Sequence, residues 1–326
     1  MAEIVTANRP RRGRELNVGG ASRPGRPGSA GRTGKPGWLG RRARENLTGH
    51  AFLIGAVLCF AFFSWWPLIK EFIMSFQRQR LGVTSFVGWK NFVLISKDPS
   101  FWQAWRNTAQ FTVLALILGF AMPFFIAIML NEFRHCQGYL RVLVYLPVIL
   151  PPASALLLFK YAYDPGNGIF NTILHTLHLP TSQWLQSPRM AMPSNVIAST
   201  WMNMGGTILI YLAALQGIPG ELYEAAELDG ANWWRRIRHV TVPETRLILS
   251  LMFVMQIVST MQLFVEPFIL DNGDGLNGNT TSVVYLIYQH AFVYDDIGGA
   301  SALSVMLLLV LAAFSAVYLR LTRNQD

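Results

Sequence analysis

Charge and cysteine are both scarce in this 326-residue chain. Asp, Glu, Lys and Arg together make only 14% of it, against about a quarter in a soluble domain. That leaves too few groups to solvate a globular surface and argues against a soluble α/β enzyme. Two cysteines, Cys59 and Cys136, exclude a disulfide framework and a paired-cysteine metal site. The six histidines show no zinc-site spacing; His175 and His178 lie three apart but have no third ligand nearby. Asp271 to Gly278 is oxygen-rich like a calcium loop, yet the Glu expected at its twelfth position is missing. Gly31 to Pro36 looks superficially like a phosphate loop. Ser29 stands where the first Gly should be and Pro36 where Ser or Thr should be. No nucleophile elbow and no Ser/His/Asp set is present, and Asp295-Asp296 reads as a helix-start charge. No catalytic residue and no metal site are expected.

What the chain has is apolar sequence, 52% of it. Six runs are long enough for a helix to cross a bilayer core, near residues 51–69, 107–130, 142–159, 196–216, 247–265 and 297–319. The third carries Pro147, Pro151 and Pro152. Such prolines are tolerated where neighbours re-satisfy the freed carbonyls, so this span is expected to be kinked inside a bundle. Residues 1–49 differ sharply, with eleven Lys or Arg, ten Gly and four Pro. They are expected to be a disordered basic tail. Arg11-Arg12 invites a twin-arginine reading, but the apolar run begins almost forty residues later. Basic charge beside a span points to cytoplasmic retention rather than nucleic-acid binding.

Charge asymmetry orients the spans. With both termini cytoplasmic, the inner segments hold 19 Lys or Arg and the outer ones 8, as expected when basic loops stay inside. Six of those eight lie in residues 70–106, against the trend. The expected organisation is a cytoplasmic tail (1–49), an all-α six-span domain (50–322) in a plasma membrane, and a short tail (323–326).

The inner loop at residues 217–246 is the most informative stretch. Pro219 stands where a helix can begin, because its missing N–H would be unpaired there. Glu221, Glu224 and Glu227 follow, where negative charge suits the helix dipole. Gly230 is placed as the residue just past the end. Leu222, Ala225, Ala226 and Asp229 share one face, and the small alanines permit close approach of another surface. From Trp233 to Val242, arginines alternate with apolar residues until Pro243; alone, this could be a helical loop lying at the lipid headgroups.

Glu224-Ala225-Ala226, Asp229-Gly230-Ala231, then Ile237, Val240 and Pro243 resemble the EAA loop of bacterial ABC-importer permeases. Phe86-Val87-Gly88-Trp89-Lys90-Asn91-Phe92, Tyr145-Leu146-Pro147 and Asn279-Thr280-Thr281 resemble stations of the carbohydrate branch, whose members include maltose, glycerol-phosphate and disaccharide permeases. Asp271-Asn272-Gly273-Asp274-Gly275 is more acidic than the glycine-rich turn of that branch. The resemblance implies a type I importer permease whose loop forms a coupling helix docked on a cytoplasmic ABC ATPase dimer. Glu224, Ala225, Ala226, Asp229, Gly230, Ala231 and Pro243 would carry that docking. It also implies a second, similar permease as heterodimer partner and an extracytoplasmic sugar-binding protein. ATP and Mg would sit on the ATPase, leaving this chain without a cofactor.

Polar residues within spans are costly and therefore informative. Asn203, Gln216, Gln256, Gln262 and Glu266 stand out, with Trp201, Tyr211 and Tyr285 nearby. Amides and aromatic faces suit a neutral sugar, so Trp201, Asn203, Tyr211, Gln256, Gln262 and Tyr285 are candidate path residues. Interhelical hydrogen bonding would account for the same amides. Glu266, beside Pro267, reads as a solvated residue at a span end. Two other classes compete with the permease. A self-contained secondary transporter would need intramembrane charge for ion coupling, and a membrane enzyme would need an interfacial acidic or histidine cluster.

Overall fold

A computed structural model describes residues 50, 53–80, 83–132 and 137–323. The basic tail at 1–49, with Arg11-Arg12 and the Gly31 to Pro36 stretch, lies outside the described residues, as do Cys136 and residues 324–326. Met1–Phe60 and Ala61–Asp326 form separate units. Of the first unit, the described helical part is residues 53–60.

Helix α1 (Leu53–Met74) is apolar for most of its length, with Lys70 and Glu71 near its end. Its large side chains, among them Phe62, Phe63, Trp65 and Trp66, are exposed, as suits a surface covered by lipid. A short antiparallel hairpin follows, β1 (Gln77–Arg80) and β2 (Val83–Phe86), with Gln77 opposite Phe86. No strand was expected from the sequence. Helix α2 (Lys90–Lys97) anchors this hairpin, since the Asn91 amide donates to the Ser75 and Gln77 carbonyls at 2.9 and 2.8 Å.

Helix α3 (Pro99–Glu132) runs 34 residues, longer than the apolar run alone suggests. Asp98 caps it by accepting from the Ser100 amide at 2.8 Å, and Pro99 sits in its first turn. Arg106 therefore lies within a helix rather than a loop. A π-helical turn interrupts α3 at Leu116–Phe120.

The proline-rich third run is bent, as expected, but more sharply than a kink. Helices α4 (Gln137–Ile149) and α5 (Pro152–Ala162) meet at 95°. The cause lies in the residues between them. Leu150 closes α4 onto the Pro147 carbonyl at 3.2 Å, and Pro151 takes an extended ψ of 128° before Pro152 starts the next helix.

After α6 (Ile169–Thr176) comes α7 (Ala191–Gln216), the central helix of the bundle. Gly205 lets α4 cross it closely, because a Cβ there would lie 2.5 Å from the Val144 carbonyl oxygen. Helix α8 (Gly220–Leu228) and the one-turn α9 (Trp233–Arg236) fill the next loop. A π turn at Ile237–Thr241 leads into α10 (Val242–Met261). The chain breaks at Gln262 to Phe264 and resumes as α11 (Val265–Leu270), then α12 (Val283–Tyr288) and α13 (Ile297–Arg323).

Among the described residues, five helical stretches are long and apolar enough to cross a bilayer. They become six if the bent α4–α5 pair counts as one. The bundle packs on small clusters rather than one large core. In one, Phe124, Ala127 and Ile128 of α3 meet Ile208, Tyr211 and Leu212 of α7. Another joins Phe101 and Ala104 of α3 to Val283, Ala302, Leu303 and Leu307. A third joins Leu156 and Phe159 to Ala198 and Met202.

Candidate functional sites: a coupling helix and a cavity between spans

Two sites emerge, both laid out along α3 and α7. The first is the inter-span loop. Gly217 ends α7, and Pro219, with φ −58° and ψ 130°, is the cap of α8 rather than its first helical residue. Gly230 takes φ +74°, where glycine alone is unstrained. Its amide bonds to Glu227 O at 3.0 Å, and the Ala231 amide reaches back five residues to Ala226 O at 2.9 Å. Those two bonds make a complete Schellman cap, so the helix end is written locally.

Helix α8 rests on little of its own chain. The Tyr223 hydroxyl meets Thr241 Oγ1 at 3.0 Å, and Arg236 faces Glu227 at 3.6 Å. The second contact is weak because Glu227 is largely solvent-exposed. Between α8 and the ends of α3 and α7 lies a cleft of about 250 Å³, walled by Ile128, Glu132, Leu215, Tyr223, Glu224 and Ile237. Glu224, Ala225 and Asp229 are exposed, and Ala226 and Ala231 are half-buried. Pro243 sits in the first turn of α10. Apart from its chain neighbours, no atom of the described residues lies within 4 Å of where a Gly230 Cβ would stand. Leu228, which sequence reasoning passed over, is 90% exposed at the end of α8.

The second site is a cavity of about 230 Å³ between α3, α7 and the α10–α11 break. Asn203, Gln256 and Gln262 line it together, joined by Ser199, Thr200 and Glu266. Glu266 is thus a wall residue, not merely a solvated group at a span end. Its carboxylate accepts from Ser199 Oγ at 2.6 Å. The Asn203 and Gln262 amides donate to the Ser199 and Val258 carbonyls at 2.9 and 3.0 Å, leaving their side-chain oxygens free to accept. Gly119, in the π turn of α3, makes room for Gln256, since a Cβ there would lie 2.9 Å from its Nε2. A cavity lined by amides, hydroxyls and one carboxylate can hold a hydroxylated solute, and among the described residues nothing cationic lines it.

Three candidate path residues lie elsewhere. Trp201 packs edge-on against Phe159 of α5 with ring centres 5.3 Å apart. Tyr211 is fully buried among Phe120 and Phe124. Tyr285 is buried under the loop after α11, and its hydroxyl donates to Asn272 O at 3.3 Å. Aromatic type and proximity in sequence suggested all three, but helix rotation turns them into packing clusters.

The 271–282 loop closes over this region. Asp271 is buried and accepts from Asn195 Nδ2 at 2.6 Å; burial pushes its carboxyl up to about 6. Lys160 ties the same loop to α5 through Ile269 O and Asn272 Oδ1 at 2.8 and 2.9 Å. Asp296 caps α13 on the Gly299 amide at 3.1 Å and faces His290 at 3.2 Å, and that histidine contact holds its carboxyl below the ordinary range. Among the described residues, no group of three His, Cys, Asp or Glu could hold a metal.

Comparison with known proteins places these features in context. Residues 123–326 match the family model described as the binding-protein-dependent transport system inner membrane component. The chain is 32% identical over 269 residues to the arabinooligosaccharides transport system permease protein AraP of Bacillus subtilis, covering 82% of this chain and 85% of that one. It is 28% identical to the trehalose/maltose transport system permease protein MalF of Thermococcus litoralis, covering 86% and 95%. In fold it matches a chain of a bacterial ABC transporter crystal structure, one involved in import of the acidic polysaccharide alginate. The TM-score is 0.77 at 23% identity, over 88% of this chain and 98% of the other.

Proposed function

Because this chain belongs to the binding-protein-dependent transport system inner membrane components, we propose that it forms half of the translocation path of an ATP-driven importer for a di- or oligosaccharide. The second half is a similar permease, ATP and magnesium are held by a cytoplasmic ABC ATPase dimer, and a binding protein delivers the sugar from outside. Both termini are cytoplasmic in this reading, supported by the basic asymmetry of the loops. The observation that carries the proposal is α8, a locally capped, exposed helix held over a cleft, among the described residues, by one hydroxyl contact and one exposed ion pair. The names of the relatives, which mention arabinooligosaccharides, trehalose and maltose, support a sugar as cargo.

A mechanism follows from how α8 is joined to the cavity. Tyr223 meets Thr241, the last residue of a π turn that runs directly into α10. Helix α10 carries Gln256 into the cavity and ends at the break before Glu266. A push on α8 from a closing ATPase therefore reaches Gln256 through one helix, and Glu266 just across the break that ends it. Rigid-body rocking of such a lever opens the cavity alternately to either side. Glu224 and Asp229 act as polar contacts to the ATPase, and Gly230 lets its surface come close.

Reconstitution tests this reading. Liposomes holding the purified chain alone should accumulate no sugar, whereas adding the second permease, the ATPase, ATP and the loaded binding protein should restore uptake. Accumulation by the chain alone would overturn the subunit reading.

A further inference from the structure

Helices α3 and α7 carry three polar stations in register. The coupling cleft takes Ile128, Glu132 and Leu215, and the cavity takes Phe111 to Gly119 with Ser199 to Thr207. A third, a cleft of about 600 Å³, is lined by Trp102, Gln103, Arg106 and Gln110 of α3 with Arg189 and Met192 beside the start of α7. At 1.5 Å per helical residue this third station lies about 35 Å from the coupling cleft. It is therefore a rim at the opposite end of the bundle, above the cavity.

The rim has a rigid floor and free charges. Gln103 and Asn107 donate to the Asn277 and Gly278 carbonyls, both at 2.8 Å, and lace α3 to the 271–282 loop. The Trp102 indole is fixed on Ser96 O at 3.1 Å. Arg106 and Arg189, by contrast, are exposed, and among the described residues neither pairs with a carboxylate. No Asp or Glu lines this cleft. Arg106 is also one of the six basic residues that oppose the charge asymmetry of the loops. Two uncompensated guanidinium groups on one rim point to an anionic partner, which each can grip in bidentate fashion.

That partner is either cargo or a protein. Cargo fits poorly, because the next station inward offers amides, hydroxyls and the Glu266 carboxylate but no cation. An anionic sugar would leave two arginines for a wall that repels it. We infer that Arg106 and Arg189 dock acidic side chains of the sugar-delivering binding protein, seating its release site over the α3–α7 groove. This inference rests on the importer reading above. Paired charges of this kind act on encounter and seating, so they make the interaction salt-dependent.

The test uses the assembled importer in nanodiscs, with its sugar-loaded extracytoplasmic binding protein as the probe. ATPase rate is followed against binding-protein concentration at low and high salt. In Arg106→Glu/Arg189→Glu the half-maximal concentration should rise about tenfold or more, with the shift in that concentration rather than in the rate at saturation, and the salt dependence should flatten. Arg106→Gln/Arg189→Gln, which adds no repulsion, should give a smaller shift in the same direction. Unchanged half-maximal concentration and salt dependence in both variants would overturn the inference, as would a defect confined to uptake of carboxylated sugars. No stimulation of the wild type by any concentration would instead overturn the importer reading, and this inference with it.

Discussion

Helix α8 and the cavity it is proposed to drive are built in opposite ways. Helix α8 is local: Pro219 before it, Gly230 at φ +74° after it, and a Schellman cap between. Among the described residues, its side-chain polar ties to the rest of the fold are one hydroxyl contact and one exposed ion pair, each worth about 1 kcal/mol or less. The cavity is non-local, drawn from α3, α7, α10 and α11, and no stretch of sequence contains it. Its polar groups are held partly on their own backbones, with side-chain oxygens left over. A helix that is self-made but loosely attached is suited to being gripped and moved. A pocket assembled from several helices changes shape when any one of them moves.

The largest effect should come from filling the space beside α8. Gly230→Trp costs about 1–2 kcal/mol in backbone strain, too little to unfold a helical bundle, and apart from its chain neighbours its Cβ meets no atom of the described residues within 4 Å. Uptake should be lost while the membrane level, read by immunoblot, stays near normal. Gly230→Ala carries the strain without the bulk and should keep most transport. Equal losses in the two variants would assign the defect to the cap, not to docking.

A smaller and different effect is expected in the cavity. Gly119→Val directs its side chain at Gln256 Nε2 and Thr200 Oγ1, both ends of flexible side chains that can turn aside. The bundle should assemble, sugar uptake should fall about tenfold, equivalent to about 1.4 kcal/mol, and binding-protein-stimulated ATP hydrolysis should persist. Loss of uptake and of stimulated hydrolysis in equal measure would show that the cavity and the coupling helix are not separable.

This contrast also explains what the sequence reveals. Caps, acidic first turns and a glycine past a helix end are contacts between near neighbours, so α8 and its exposed residues are readable directly. The helix starts missed by hydropathy have local signals too, such as Asp98-Pro99 for α3. The 95° break at Pro151-Pro152 goes beyond the expected kink, because two adjacent prolines remove both the amide and the helical ψ that continuity needs. In the cavity, Asn203, Gln256 and Gln262 follow from the cost of amides in spans. Ser199 and Gly119 do not, since their role depends on which helix faces which. Trp201, Tyr211 and Tyr285 fail for the same reason.

The smallest effect concerns the 271–282 loop, which Asp271 ties to Asn195 of α7. Burial raises the Asp271 carboxyl from about 4 to about 6, so the folded loop binds its proton more tightly than the unfolded chain does. The stabilisation is fully present below about pH 4 and is lost as pH rises through about 6. Melting of the detergent-purified protein should therefore shift a few degrees downward between pH 4.5 and 7 from this group. Asp271→Asn should flatten that part of the profile; an unchanged profile would mean that the loop does not control it.

The most direct measurement is cross-linking from α8. With only Cys59 and Cys136 to replace, a cysteine-free background is simple to make, and Leu228→Cys places one thiol at the most exposed position of the helix. In membranes holding the assembled importer, the account predicts a short-range cross-link from that thiol to the ATPase, changing in yield when ATP is bound. A thiol that stays freely reactive, with no ATPase adduct in either nucleotide state, would contradict it.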